Sequence, residues 1–140
     1  MSDYGDSGSD GSPGIVDEDT FDWLLALDED NDHEFSESLF TSYFKQAEEA
    51  LEEMRDALEN KNLQELSRLG KLLMDTSAFY GAIKVRNACE RLYHYGRCND
   101  GTSSITAEDA LLRIPPLLET MREDYDQFGE AVFAFYWQND

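Results

Sequence analysis

Residues 34–59, EFSESLFTSYFKQAEEALEEMRDALE, place Phe40, Phe44, Ala47, Leu51, Met54 and Leu58 at successive steps of 4, 3, 4, 3 and 4. That spacing puts the apolar side chains on one face of a helix and the acidic residues between them on the other. The pattern recurs downstream. Asn62, with Glu65 three residues on, is a capping-box start for a helix carrying Leu66, Leu69, Leu73, Thr76 and Tyr80, which Gly81 stops. A third helix turns Val85, Ala88, Leu92 and Tyr95 inward and ends near Gly96. After the polar stretch 97–104, Thr106 with Asp109 starts the last helix, whose stripe runs Leu111, Ile114, Leu118, Met121, Tyr125, Phe128, Val132 and Phe135. The stripe keeps one phase through Pro115 and Pro116, so a kinked rather than a broken helix is expected there. No segment alternates with period two. Four long helices on short loops can hide such stripes only against each other, so the fold class is all-α, an antiparallel four-helix bundle. Upstream, Asp19 or Thr20 is expected to cap a short extra helix to about Leu27, carrying Phe21, Trp23, Leu24 and Leu25 across one end of the bundle.

With 140 residues the chain is one domain long and can bury a core without disulfides or metal. Residues 1–14, MSDYGDSGSDGSPG, are read as a disordered acidic Gly/Ser tail, and residues 15–140 as the helical domain. Thirty-one Asp and Glu against 11 Lys and Arg give a formal charge of -20, which repels nucleic acid and anionic membrane. Direct binding to either is excluded as a function, and a monomer is expected. The charge alone would suggest disorder, but 41% hydrophobic residues with 8 Phe, 7 Tyr and 2 Trp are too many for an unfolded chain. The N-terminus shows no basic-then-apolar leader and no window reaches the roughly 18 apolar residues of a membrane span, so a cytoplasmic or nuclear protein is expected. Cys89 and Cys98 have no metal-ligand spacing and read as reduced thiols.

Chemistry-bearing patterns are few, and no enzyme, metal or cofactor is expected. The run DEDNDHEF from Asp28 has acids at alternate positions like a calcium-binding EF-hand loop. It lacks the glycine at the sixth position, which is His33, and the bidentate Glu at the twelfth, which is Leu39. The ordinary reading is that Asp32 or a neighbour caps the next helix. His33 and His94 lie apart from any nucleophile pattern, and Cys89 falls beside the third helix's apolar stripe, where a thiol is an inert small hydrophobe.

One segment is more specific. Residues 69–82, LGKLLMDTSAFYGA, followed by Ala88-Cys89-Glu90-Arg91-Leu92, resemble the heart of histidine-containing phosphotransfer (HPt) domains, in particular the single-domain phosphorelay intermediates of fungi. Those read LGHxLKGSSxxxG and then a CE-basic-hydrophobic run. Two upstream segments match as well: IVDEDTFDWLLALDED at residues 15–30, and Tyr43-Phe44-Lys45-Gln46-Ala47 for an F-x-x-Q-A element. The resemblance implies a four-helix bundle that docks receiver domains of two-component response regulators through an apolar patch around the phosphoacceptor. The positions it implies for that face are Phe21, Leu24, Leu25, Gln46, Lys71, Met74 and Asp75.

The departures fall on the phosphate chemistry. Lys71 stands where the family has its acceptor His, Met74 where it has Lys, and Asp75 where it has Gly; Ser77 and Gly81 match and Thr76 replaces Ser. An imidazole presents a neutral lone pair near pH 7, whereas an ordinary lysine is neutral in about one molecule in 2,500. At 100° per residue Lys71 points away from Leu66, Leu69, Leu73 and Thr76, with Arg68, Asp75 and Ala78 beside it. Asp75 adds a carboxylate facing any incoming phosphate or acidic receiver pocket and can pair with Lys71 one turn earlier. The expectation is a pseudo-phosphotransfer protein that binds receiver domains without carrying phosphate, as competitor or scaffold. The alternative is an interaction bundle whose acidic surface binds an unrelated basic protein; a working phosphotransferase with another acceptor is disfavoured.

Overall fold

A computed structural model describes residues 14–28 and 33–138, so the tail expected over residues 1–14 falls, all but Gly14, outside the described residues. The elements are α1 (Glu18–Leu25), α2 (Glu34–Glu59), α3 (Leu63–Phe79), α4 (Ile83–Gly96) and α5 (Ala107–Phe133), closed by a π-helical turn over Ala134–Gln138. Helix α3 packs most extensively on α4, α4 on α5, and α2 touches both α3 and α5, which closes a ring of four antiparallel helices. Among the described residues the only β feature is an isolated bridge between Asn99 and Ser104.

The stripes are the core. Phe40, Met54, Leu66, Leu69, Leu73, Leu92, Ile114, Met121 and Phe128 are all buried, each such side chain contributing about 1.5–3 kcal/mol by leaving water. Tyr43, Ala50 and Ala57 widen the α2 stripe, and Ala110 and Leu117 take core positions beside Leu111 and Leu118. Helix α5 runs unbroken through Pro115 and Pro116, both of which face solvent, where water can serve the carbonyls left without an amide partner. The caps are as the spacing requires: Asn62 Oδ1 accepts from the Glu65 N–H at 3.1 Å, and Thr106 Oγ1 from the Asp109 N–H at 3.0 Å.

Two motif residues shared with HPt domains have structural jobs. Ser77, fully buried, meets the Tyr43 hydroxyl at 2.7 Å and satisfies it inside the core. Gly81 adopts φ +77°, and a Cβ there would lie 3.2 Å from Thr20 Cβ and 3.3 Å from Asp17 O. Its carbonyl accepts from the Asp17 N–H at 2.9 Å, fastening the start of α1 to the α3–α4 turn. The N-cap of α1 is therefore Asp17 rather than Asp19 or Thr20; the Thr20 hydroxyl instead donates back to Asp17 Oδ2 at 2.8 Å.

The start of α2 also differs from expectation. Asp32 lies outside the described residues, and the cap residue, His33, has φ +57° and makes no side-chain capping bond to the helix. The capping oxygen comes from Asp28, eight residues before its partner: Oδ1 accepts from the Ser36 N–H at 2.7 Å, while Oδ2 accepts from Ser36 Oγ at 2.8 Å and His33 Nδ1 at 2.7 Å. Ser36 has one hydroxyl proton, given to Asp28, so Tyr136 donates to Ser36 Oγ at 2.6 Å and ties in the C-terminal turn. Desolvation pushes the Asp28 carboxyl up, but the bonds from His33 and Ser36 outweigh it and hold it below the ordinary carboxylate range.

Asp28→Ala is expected to cost about 2–3 kcal/mol, because it strips a charged acceptor from the Ser36 amide. The native pKa lies below the unfolded one, so this stabilisation is complete above the ordinary carboxylate range and is lost as pH falls through the native value. Urea unfolding of both proteins checks this: the gap between them should close on acidification, and an undiminished gap near pH 2 contradicts it.

Candidate functional site

Lys71 lies on the outward face of α3 with 53% of its side chain exposed, opposite buried Leu66, Leu69 and Leu73. Its Nζ is 3.3 Å from Asp75 Oδ2, an exposed pair one turn apart worth only a few tenths of a kcal/mol. The residue before it, Gly70, sets where this amine can go. A Cβ at Gly70 would lie 2.9 Å from Tyr93 N and 3.0 Å from Cys89 O, so α3 and α4 touch backbone to backbone here and Lys71 rises at their seam.

That seam is an open groove of about 500 Å³ in which Gln64, Ser67, Arg68, Lys71, Tyr93 and Arg97 meet. Its floor is fixed by Ser67 Oγ donating to Tyr93 O at 3.0 Å. Three cations share it within a chain of charge -20, two of them paired with carboxylates at its edge, Arg68 with Glu65 and Lys71 with Asp75. Glu65 grips Arg68 with two bonds, 2.9 Å to Nε and 2.6 Å to Nη2, and these raise the guanidinium pKa further. The Arg97 guanidinium sits over the Tyr93 ring at 5.5 Å from its centroid. Arg97 follows α4 and so lies outside the helical stripes; the signal the sequence carries for it is its place directly after Gly96, at the helix end that closes on α3.

The apolar rim differs in detail from the one the resemblance implies. Leu24 is fully buried and cannot offer a surface; it anchors α1 on the bundle. Phe21 is half-buried, its ring 5.5 Å from that of Phe40 and 5.0 Å from that of Phe135, edge-on. Leu25 and Met74 are half-buried too, Met74 packing on the core, while Gln46, Lys71 and Asp75 are exposed. The large apolar side chains that do reach solvent on α1 and α3 are Trp23, Leu72 and Phe79. Trp23 meets Phe79 edge-to-face at 5.9 Å, and Leu72, Asp75 and Phe79 follow one another along the outer face of α3. Which of Trp23 and Leu24 faces water depends on how α1 is seated, which local periodicity does not encode.

Cys89 is buried with its Sγ 3.9 Å from Met121 Sδ, and desolvation pushes its thiol pKa far up, so it has no accessible thiolate. Cys98 is a free thiol as well. No group of three or more His, Cys, Asp or Glu converges among the described residues in a way that could hold a metal ion. Nor is any helix among them long and apolar enough to cross a membrane.

No protein-family model matches the chain. Among characterised proteins it is 38% identical over 128 residues to Multistep phosphorelay regulator 1 of Schizosaccharomyces pombe, covering 89% of this chain and 43% of that one. It is 40% identical over 83 residues to the phosphorelay intermediate protein YPD1 of Candida albicans, covering 59% of this chain and 45% of that one. The chain thus spans less than half the length of these relatives. In structure it superposes on yeast Ypd1 in complex with the receiver domain of its downstream response regulator Ssk1, with a TM-score of 0.76 and 22% identity over 91% of this chain and 97% of that one. A second crystal structure of yeast Ypd1p gives a TM-score of 0.77 at 20% identity, over 89% and 96% of the two chains. The architecture read from the helical stripes and the resemblance read from residues 69–92 therefore converge: the chain has the HPt helical-bundle fold and is similar in sequence to phosphorelay proteins.

Proposed function

We propose that this protein docks response-regulator receiver domains of a two-component phosphorelay and passes no phosphoryl group, acting as a competitor or scaffold. The observation that carries the reading is the exposed Lys71–Asp75 ion pair on the outer face of α3, at the position where the motif carries its acceptor histidine. An ordinary ammonium has no lone pair to offer an aspartyl phosphate, and the neighbouring carboxylate opposes the phosphate's charge. What remains suits docking: an exposed aromatic pair, Trp23 and Phe79, exposed Leu72 on the same helix as Phe79, and a groove holding Arg68, Lys71 and Arg97. The apolar part would bury against the partner, and the cations would face the acidic pocket that receiver domains use for phosphorylation. Gln46, Leu25 and Met74 complete the proposed face, with Leu24 as its support from within.

Binding of a purified receiver domain, measured by calorimetry, tests the reading. Trp23→Asp is expected to weaken binding about tenfold or more while leaving the fold intact, as loss of a central aromatic contact does. Affinity should survive about 0.5 M salt, because the contact is mainly apolar. Loss of binding in salt, or indifference to Trp23→Asp, would point to contact through the acidic surface instead. In parallel, incubation with a phosphorylated receiver should leave this protein unlabelled; acid-labile phosphate on the wild type would overturn the proposal.

A further inference from the structure

The seam across the ring from the Lys71 groove, between α2 and α5, has the opposite chemistry. It holds an open groove of about 850 Å³ whose walls are Phe44, Tyr125, Phe133 and Trp137 and whose carboxylates are Glu48, Asp126 and Glu130. Phe133 and Trp137 stack at 5.2 Å with 28° between their planes, yet remain 47% and 41% exposed. The π-helical turn after Phe133 carries Trp137 alongside it. Gly129 leaves the floor open: a Cβ there would meet only Phe44 Cε1, at 4.0 Å.

One end of this groove shows what the rest would take. The chain's own Arg122 lies there with its guanidinium 5.5 Å from the Tyr125 ring centroid, 3.1 Å from Glu48 Oε1 and 3.3 Å from Asp126 Oδ1. The next stretch repeats the combination of an aromatic face and carboxylates, with Phe133 and Trp137 beside Glu130, but no cation among the described residues fills it. We infer that this groove is a docking site for an arginine-bearing segment of a partner protein, whose guanidinium covers the Phe133–Trp137 face and pairs with Glu130. A planar, weakly hydrated guanidinium can stack on an aromatic face and fork to a carboxylate at once, which an ammonium cannot. The chain's charge of -20 draws a basic segment toward the molecule, and the aromatic wall fixes where it settles. The site shares no residue with the receiver-docking face and stands or falls separately.

The test uses the full chain carrying Trp23→Phe, which leaves Trp137 as the single tryptophan reporter. The probes are an arginine-containing basic peptide and its counterpart with citrulline at each arginine, titrated at about 0.15 M salt so that diffuse attraction is screened. The arginine peptide should shift Trp137 emission saturably and the citrulline peptide should not. Phe133→Ala and Glu130→Gln should each weaken binding by about three- to tenfold, in line with the strength of cation–π and charge-assisted contacts. Glu59→Gln, an equal charge change at the far end of α2, should alter it by less than about twofold. Gly129→Leu should block the groove and remove binding with no loss of thermal stability, a result that a merely structural role for Gly129 would not give. Equal binding of both peptides, equal effects of Glu130→Gln and Glu59→Gln, or an unchanged Trp137 signal would each overturn the inference.

Discussion

Gly96→Ala is expected to destabilise the protein by about 2–3 kcal/mol, and Gly96→Leu to prevent folding, because side-chain atoms added here have no room to relax into. A Cβ at position 96 would stand 2.7 Å from Leu63 O, Ser67 Cβ and Ser67 N, inside the first turn of α3. Two of those atoms are backbone, so relief requires moving the whole end of α4 away from α3, and with it the Ser67–Tyr93 hydrogen bond and the floor of the Lys71 groove. The same substitution at Gly129, where the nearest neighbour is 4.0 Å away, should instead stabilise by about 0.5–1 kcal/mol through the better helix propensity of alanine. Urea denaturation of the two variants therefore reads two signs for one chemical change. A Gly96→Ala protein within about 0.5 kcal/mol of wild type, the range of inert surface changes, would show that the α3–α4 contact is not what seats the groove.

The triple variant Lys71→His, Met74→Lys, Asp75→Gly is expected to accept phosphate from a phosphorylated receiver domain where the wild type does not. For ordinary side chains at pH 7, histidine offers a neutral nitrogen lone pair about 2,000-fold more often than lysine. Position 71 is already outward and solvent-accessible, so the imidazole would meet a docked partner without any change of fold. Glycine at 75 removes the carboxylate that now sits 3.3 Å from the amine, and lysine at 74 adds positive charge to that of Arg68 and Arg97 in the adjoining groove. Radiolabel transfer and subsequent acid treatment measure the outcome. Acid-labile label on the variant alone supports a docking face that outlived its chemistry. An unlabelled variant with a native circular dichroism spectrum would mean that the face no longer engages receivers, leaving the acidic surface as the functional one.

Most of what is decided by spacing within one helix could be read from the chain alone, the cap of α1 and the full width of the α2 and α5 stripes excepted. The phases of the four stripes, the caps at Asn62 and Thr106, the stop at Gly81 and the outward direction of Lys71 are all set by neighbours three or four residues apart, which a helix brings together whatever surrounds it. What depends on how helices sit on one another had to come from the tertiary structure. Asp28 caps α2 across a gap of eight residues, Leu24 is buried while Trp23 is exposed, Arg97 joins Lys71 from another element, and the π-helical turn brings Tyr136 to Ser36 one hundred residues away. Each of these rests on packing between elements, and a one-dimensional pattern carries the direction of a side chain but not the identity of what it meets.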